Sequence, residues 1–201
     1  MILAGDESEA GACLVDAYLA HHSPDSISDT TITGAMHMLG DLWVKGSVTI
    51  ADEHMATRVV LTAIQKLRGV LVPDEPNGLN AICCCVEGDL HELAVHLAEL
   101  VLESRGWQVI NLGANTPIFS LQEMAGKQRP QLICISARTI ADLDRATAEF
   151  AQLRRVATKL ENYSGWRSVS RSKRACPFPC GLLSRRLSCT LAIGSEAEER
   201  N

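Results

Sequence analysis

Ala81-Ile82-Cys83-Cys84-Cys85-Val86-Glu87-Gly88-Asp89-Leu90-His91-Glu92 is the stretch on which the fold turns. Its apolar run, residues 81–86, is too short for a helix and reads as a strand buried on both faces. Residues 90–104 then have the composition of a helix. The alternation repeats as a strand over 107–112, a short helix over 117–126, a strand over 131–136 and a long helix over 141–160. Strand–helix alternation predicts an α/β fold, a parallel sheet covered by helices. Ligands of such sheets bind beyond the carboxyl ends of the strands, here residues 87–91, 113–117 and 136–140. Cys83, Cys84 and Cys85 would point to alternate faces of the first strand. They read as small core residues in a reducing compartment, not as half-cystines.

Upstream the period is helical. Residues 10–22, 29–45 and 47–68 read as helices. The second carries Ile32, Ala35, Met36, Leu39 and Leu42 near helical spacing, and the third Ile50, Met55, Val59, Ala63 and Leu67. Ser47 or Thr49 is the expected cap of the third helix; Asp52 and Glu53 in its first turn and Lys66 and Arg68 in its last suit the helix dipole. The expected organisation is a helical domain over 1–69, a linker with Pro73, Pro76 and Gly78 over 70–80, an α/β domain over 81–162, and an irregular tail over 163–201. The fourth and fifth strands that a parallel sheet usually has are not visible in that tail, and residues 164–190 hold six bases, six serines and no acid. Cys176 and Cys180 have no partner pair at zinc spacing and read as unpaired thiols.

Of the 201 residues, 46% are hydrophobic and 21% charged, so a packed core is expected and disorder throughout is not. No apolar run is long enough to cross a bilayer, and a soluble, cytoplasmic protein without a membrane partner is the default expectation. Residues 1–163 carry 12 lysines and arginines against 21 acids, whereas residues 164–201 carry 7 against 3. The acidic body argues against nucleic-acid binding by residues 1–163, since phosphate contacts need a basic face.

The first strand end narrows the chemistry further. Its loop has one glycine, Gly88, and lacks the Gly-x-Gly-x-x-Gly that lets a backbone approach a pyrophosphate. Ser136, not an aspartate, ends the third strand, which argues against a phosphate-accepting receiver domain. His91-Glu92 with His96 is one residue too long for the zinc-protease spacing, and on a helix the two rings diverge. What is left is Asp89-x-His91. A carboxylate two residues before a histidine can hold one ring nitrogen and aim the lone pair of the other at a metal. On the residues alone, a hydrogen-bonded surface histidine is the commoner outcome.

The segment from Glu87 to Ala94, with Asn111-Leu112-Gly113-Ala114-Asn115-Thr116-Pro117 and Ser136, resembles the cobalamin (vitamin B12)-binding domains of methionine synthase and its relatives. Their pattern is Asp-x-His-x-x-Gly, Leu-Gly…Pro, Ser-x-Leu and a later Gly-Gly. Gly40-Asp41-Leu42-Trp43, nine residues, then Glu53-His54-Met55-Ala56-Thr57 resembles the helical cap of the same family. Trp-x9-Glu-His is the signature of its adenosylcobalamin-binding photoreceptor regulators. The resemblance covers about residues 10–160 and implies a helical bundle followed by a Rossmann-like (flavodoxin-like) sheet. It also implies His91 as the lower axial cobalt ligand, Asp89 orienting it, and a nucleotide tail passing Gly113 and Ser136. Trp43 would cover the upper face, with Glu53 and His54 around the upper ligand. Each has a plainer reading: Trp43 as a core residue, Glu53 as a dipole partner, and Ser136 as a strand end.

The sequence departs from the pattern at four places. Ala94 replaces the glycine, Arg138 the Ser-x-Leu leucine, and Val44 the histidine that follows Trp in the light-responsive regulators; no Gly-Gly follows a fourth strand. The implied function is a non-catalytic cobalamin-binding sensor that favours adenosylcobalamin. The alternative is a corrinoid methyl carrier of a methyltransferase system, loaded with methylcobalamin. Implied partners are a second copy of the chain or a separate DNA-binding or methyltransferase subunit. No winged-helix segment precedes residue 10, so the chain alone is not expected to bind an operator.

Overall fold

The computed structural model describes residues 1–137, 167–168 and 191–194, and the chain divides into two units, Met1–Asp74 and Glu75–Asn201. The expected helix over 141–160, Arg138 and most of the tail lie outside the described residues.

The first unit is helical. After a 3-10 turn (Ile2–Ala4), α1 (Glu7–Leu19) starts where the Asp6 carboxylate accepts the Glu9 N–H at 2.9 Å. The next helix opens ahead of the expected residue 29. Ser23 caps it, accepting from the Ser26 N–H at 3.2 Å, and Pro24 occupies the first turn, where its missing N–H costs nothing. It runs as α2 (Pro24–Ser26), a π-helical segment (Ile27–Ile32) and α3 (Thr33–Val44). Side-chain hydroxyls account for the wide turn. Ser28 Oγ donates to the Pro24 carbonyl at 2.8 Å, Thr30 Oγ1 to that of Ser26 at 2.6 Å and Thr33 Oγ1 to that of Ser28 at 2.8 Å. These bonds compete with the regular ladder for its acceptors.

A full capping box begins α4 (Ile50–Val70). Thr49 Oγ1 accepts the Asp52 N–H at 3.2 Å, and the Asp52 carboxylate accepts the Thr49 N–H at 2.8 Å. The buried stripe of α4 is Ala56, Val59, Val60, Ala63, Ile64 and Leu67, spaced for one helical face, and α1 packs along α4 with Ala10 and Leu14 buried. Val59, Ala63 and Leu67 sit as expected, but Ile50 and Met55 of the expected stripe are 61% and 38% exposed, because they lie off the buried arc. Gly11 lets the Lys66 stem cross α1: a Cβ there would collide with Lys66 Cδ, and Lys66 Nζ donates to the Glu7 carbonyl at 2.8 Å.

The second unit is built on β1 (Asn80–Val86), α5 (Leu93–Ser104), β2 (Gln108–Thr116), α6 (Ile118–Gln128) and β3 (Leu132–Ser136). Strand β1 pairs in parallel with both β2 and β3. Two short strands, β4 (Arg167–Ser168) and β5 (Leu191–Gly194), extend the sheet to the order β2-β1-β3-β5-β4; β5 is antiparallel to both neighbours. The tail thus contributes to the sheet, though not as parallel strands.

The cysteine run alternates as a strand must. Cys84 packs with Ile82, Leu121, Ala125, Ile133 and Ile135 on the α6 face, while Cys83 and Cys85 pack with Val95, Leu102 and Cys134 on the α5 face. All four thiols are free and buried. Burial pushes Cys84 and Cys85 up to about 12, and a hydrogen bond with Cys134 raises Cys83 as well, so none of these three strand thiols is a nucleophile in the folded protein. No helix among the described residues is long and apolar enough to cross a membrane.

Candidate functional site

The carboxyl edge of the sheet is where the second unit concentrates its polar chemistry. Strand β1 is central among the three parallel strands, so its end is flanked on both sides. Cys84 pairs with Gly113 of β2, and Cys85 with Ser136 of β3. The register therefore places Gly113 and Ser136 on either side of the loop that leaves β1.

In that loop Asp89 is fully buried. Its Oδ1 accepts the His91 N–H at 3.0 Å and lies 2.8 Å from His91 Nδ1. A carboxylate only accepts, so in the neutral ring the proton sits on Nδ1 and the lone pair on Nε2. The His91 side chain is 52% exposed, which leaves Nε2 open to a ligand. Because Asp89 also takes the His91 amide, the turn stays non-helical and α5 starts at Leu93 rather than at the expected residue 90. Cys85 Sγ lies 3.7 Å from the His91 carbonyl, and the Asn115 N–H donates to the Asp89 carbonyl at 2.9 Å.

Strand β2 does not stop at residue 112. It runs to Thr116 through two register shifts opposite Cys83–Cys84 and Cys84–Val86. Gly113 (φ 73°) and Asn115 (φ 51°) take left-handed backbone there. Such bulges re-aim a strand end beside a functional site. Ser136 is 5% exposed at the end of β3.

The remaining expected residues belong to the first unit. Trp43, near the end of α3, is 51% exposed, so it is not a core residue there. Glu53, in the first turn of α4, accepts from Thr57 Oγ1 at 3.0 Å, and its Oε2 lies 3.7 Å from Nε2 of the exposed His54.

Glu99, which lies outside the motifs, pairs with Asn111, the residue that opens the Leu112-Gly113 stretch. Glu99 Oε2 accepts from Asn111 Nδ2 at 2.8 Å and lies 3.3 Å from His96 Nδ1. An asparagine inside an apolar strand and a glutamate on the sheet-facing side of a helix were the available signals. His91 precedes α5, so helical spacing does not relate it to His96, whose Nε2 lies 3.9 Å from Glu92 Oε2.

Among the described residues no group of three or more His, Cys, Asp or Glu side chains could hold a bare metal ion. One oriented imidazole fits a metal that brings its own equatorial donors, as cobalt in a corrin does. The exposed Leu90 beside it is apolar, as the face of a macrocycle requires.

Residues 1–68 match the B12 binding domain family. The chain is 32% identical over 155 residues to the HTH-type transcriptional repressor CarA of Myxococcus xanthus, covering 75% of this chain and 47% of that protein. It is 27% identical over 124 residues to dimethylamine corrinoid protein 3 of Methanosarcina acetivorans, covering 61% and 58%. The chain thus spans about half the length of these two relatives. In fold it is similar to the monomethylamine corrinoid protein of Methanosarcina barkeri, with a TM-score of 0.58 at 18% identity over 81% of this chain and 74% of that one. On these grounds residues 1–68 are a match to the B12 binding domain family, and the chain is similar over most of its length to a transcriptional repressor and to corrinoid proteins.

Proposed function

We propose that the chain is a cobalamin-binding sensor module, with His91 as lower axial cobalt ligand and adenosylcobalamin as the favoured form. The observation that carries this is the 2.8 Å contact between buried Asp89 and His91 Nδ1, which leaves Nε2 available. Asp89 fixes the tautomer and ring plane, and Gly113 and Ser136 flank the path of the nucleotide tail. The exposed Trp43, with Glu53 and His54, serves the upper ligand. The cofactor, when bound, supplies a cobalt–carbon bond that light or ligand exchange can break. The response would be a change in association with a second copy or with a DNA-binding subunit.

The test is a reconstituted absorbance spectrum with adenosylcobalamin in the dark, for wild type and His91→Ala, with molecular mass measured before and after illumination. A histidine-ligated spectrum lost in the variant supports the ligand assignment. Intact binding with a mass indifferent to light removes the sensor role.

The likeness to two corrinoid proteins favours one second reading, a methyl carrier serving a methyltransferase subunit. Tighter binding of methylcobalamin than of adenosylcobalamin, with methyltransferase genes beside this one, would decide for it.

A further inference from the structure

Glu99 is a carboxylate only 7% exposed on α5, between the buried Val95 and Leu102. Burying such a group costs more than an apolar residue of similar size would, so its partners should say what it does. Its Oε2 accepts from Asn111 Nδ2 at 2.8 Å. Because a carboxylate has only acceptors, the Asn111 amide is forced to face it with nitrogen, and Oδ1 is turned the other way. There it accepts the Gly113 N–H at 2.9 Å and secures the left-handed turn at the first shift of β2.

The remaining contacts close a ring. His96 Nδ1 lies 3.3 Å from Glu99 Oε2, its Nε2 lies 3.9 Å from Glu92 Oε2, and that oxygen lies 3.6 Å from where a Gly113 Cβ would sit. Beyond Gly113 the same strand end ties into the His91 loop. Asn115 Oδ1 accepts the Gly88 N–H at 2.8 Å, and the Asn115 N–H donates to the Asp89 carbonyl at 2.9 Å.

We propose that Glu99, Asn111 and His96 are positioning residues that hold the β2 edge of the cobalamin site, Gly113 to Asn115, in register with the Asp89–His91 loop. They act through Gly113 and touch no ligand themselves. The inference rests on the cobalamin reading, in which the nucleotide tail passes Gly113. The ring therefore governs affinity most strongly for corrinoids that carry the tail, which passes Gly113, and much less for those held through the His91 loop alone.

The experiment titrates the full chain with cobalamin and with cobinamide, the corrinoid lacking the nucleotide, and follows absorbance and thermal midpoint for wild type, Asn111→Ala, Glu99→Leu and Glu99→Gln. Losing one charge-assisted hydrogen bond predicts roughly ten-fold weaker cobalamin binding by Asn111→Ala and Glu99→Leu, with cobinamide affinity held within about two-fold. Glu99→Gln keeps an oxygen to face Asn111 Nδ2 and stays near wild type. Equal losses for both corrinoids, or an unchanged ratio of the two affinities, overturns the positioning role while leaving cobalamin binding intact. Wild-type protein that binds neither corrinoid overturns the underlying cobalamin reading instead. If Asn111→Ala does not fold, the contrast between Glu99→Leu and Glu99→Gln decides the matter alone.

Discussion

Asp89 and His91 show how two side chains can be arranged by one local bond pattern. The same carboxylate oxygen receives both the backbone and the ring of His91, so one side chain fixes the loop and orients the imidazole it carries. Asp89→Asn would present an amide that can donate to Nδ1 and so allow the other tautomer. Cobalamin affinity should then fall by about 10–100-fold, the usual cost of removing a ligand's orienting partner, while the fold is retained. A titration beside His91→Ala checks this, and an Asp89→Asn protein that binds as wild type would show that the pairing is ornamental. The Asp-x-His pairing was legible because it is local. The Asn111–Glu99 pair was not, because it joins two elements whose register only the folded sheet provides.

At the scale of elements, local chemistry set the boundaries and tertiary register moved them. Thr49 was readable as a cap, and its box with Asp52 is complete. Thr49→Ala should lower the stability of the helical unit by about 1 kcal/mol at neutral pH, measured as a urea midpoint. Hydrogen bonds from Thr49, the backbone one first, hold the Asp52 carboxyl below its usual range. A depressed folded value means that this stabilisation is full above the ordinary carboxylate range and is lost as pH falls through Asp52's own. Wild type and Asp52→Asn should therefore converge in stability at acid pH and diverge as pH rises. The end of β2 was misread for a different reason. Gly113 and Asn115 look like a turn, and their backbone is left-handed, yet pairing with β1 carries the strand through both. The opening of the second helix at Pro24 was missed because a π segment breaks the spacing on which periodicity relies.

For the whole molecule, helices followed by a parallel three-stranded sheet were legible from the change of period, and the order β2-β1-β3 with α5 and α6 on opposite faces is that of a doubly wound sheet. Strands β4 and β5 were not, since two- and four-residue segments in a serine- and arginine-rich tail carry no period. Cobalamin that binds only the folded chain should stabilise it by about 2.7 kcal/mol at a hundred-fold excess over its dissociation constant. A thermal midpoint that rises with cobalamin concentration in wild type, and much less in His91→Ala, is the expected outcome; no rise in wild type would count against binding. The π segment ahead of α3 has one more consequence. A wide turn takes up an extra residue, which advances everything after it by roughly 100° around the helix axis. Removing one residue between Ile27 and Ile32 would thus rewind α3 as a screw, swinging Leu39 out of the core it now fills at 2% exposure and carrying Trp43 to another side of the bundle. The azimuth of that indole is dialled by the hydroxyls of Ser28, Thr30 and Thr33, roughly three to four turns upstream.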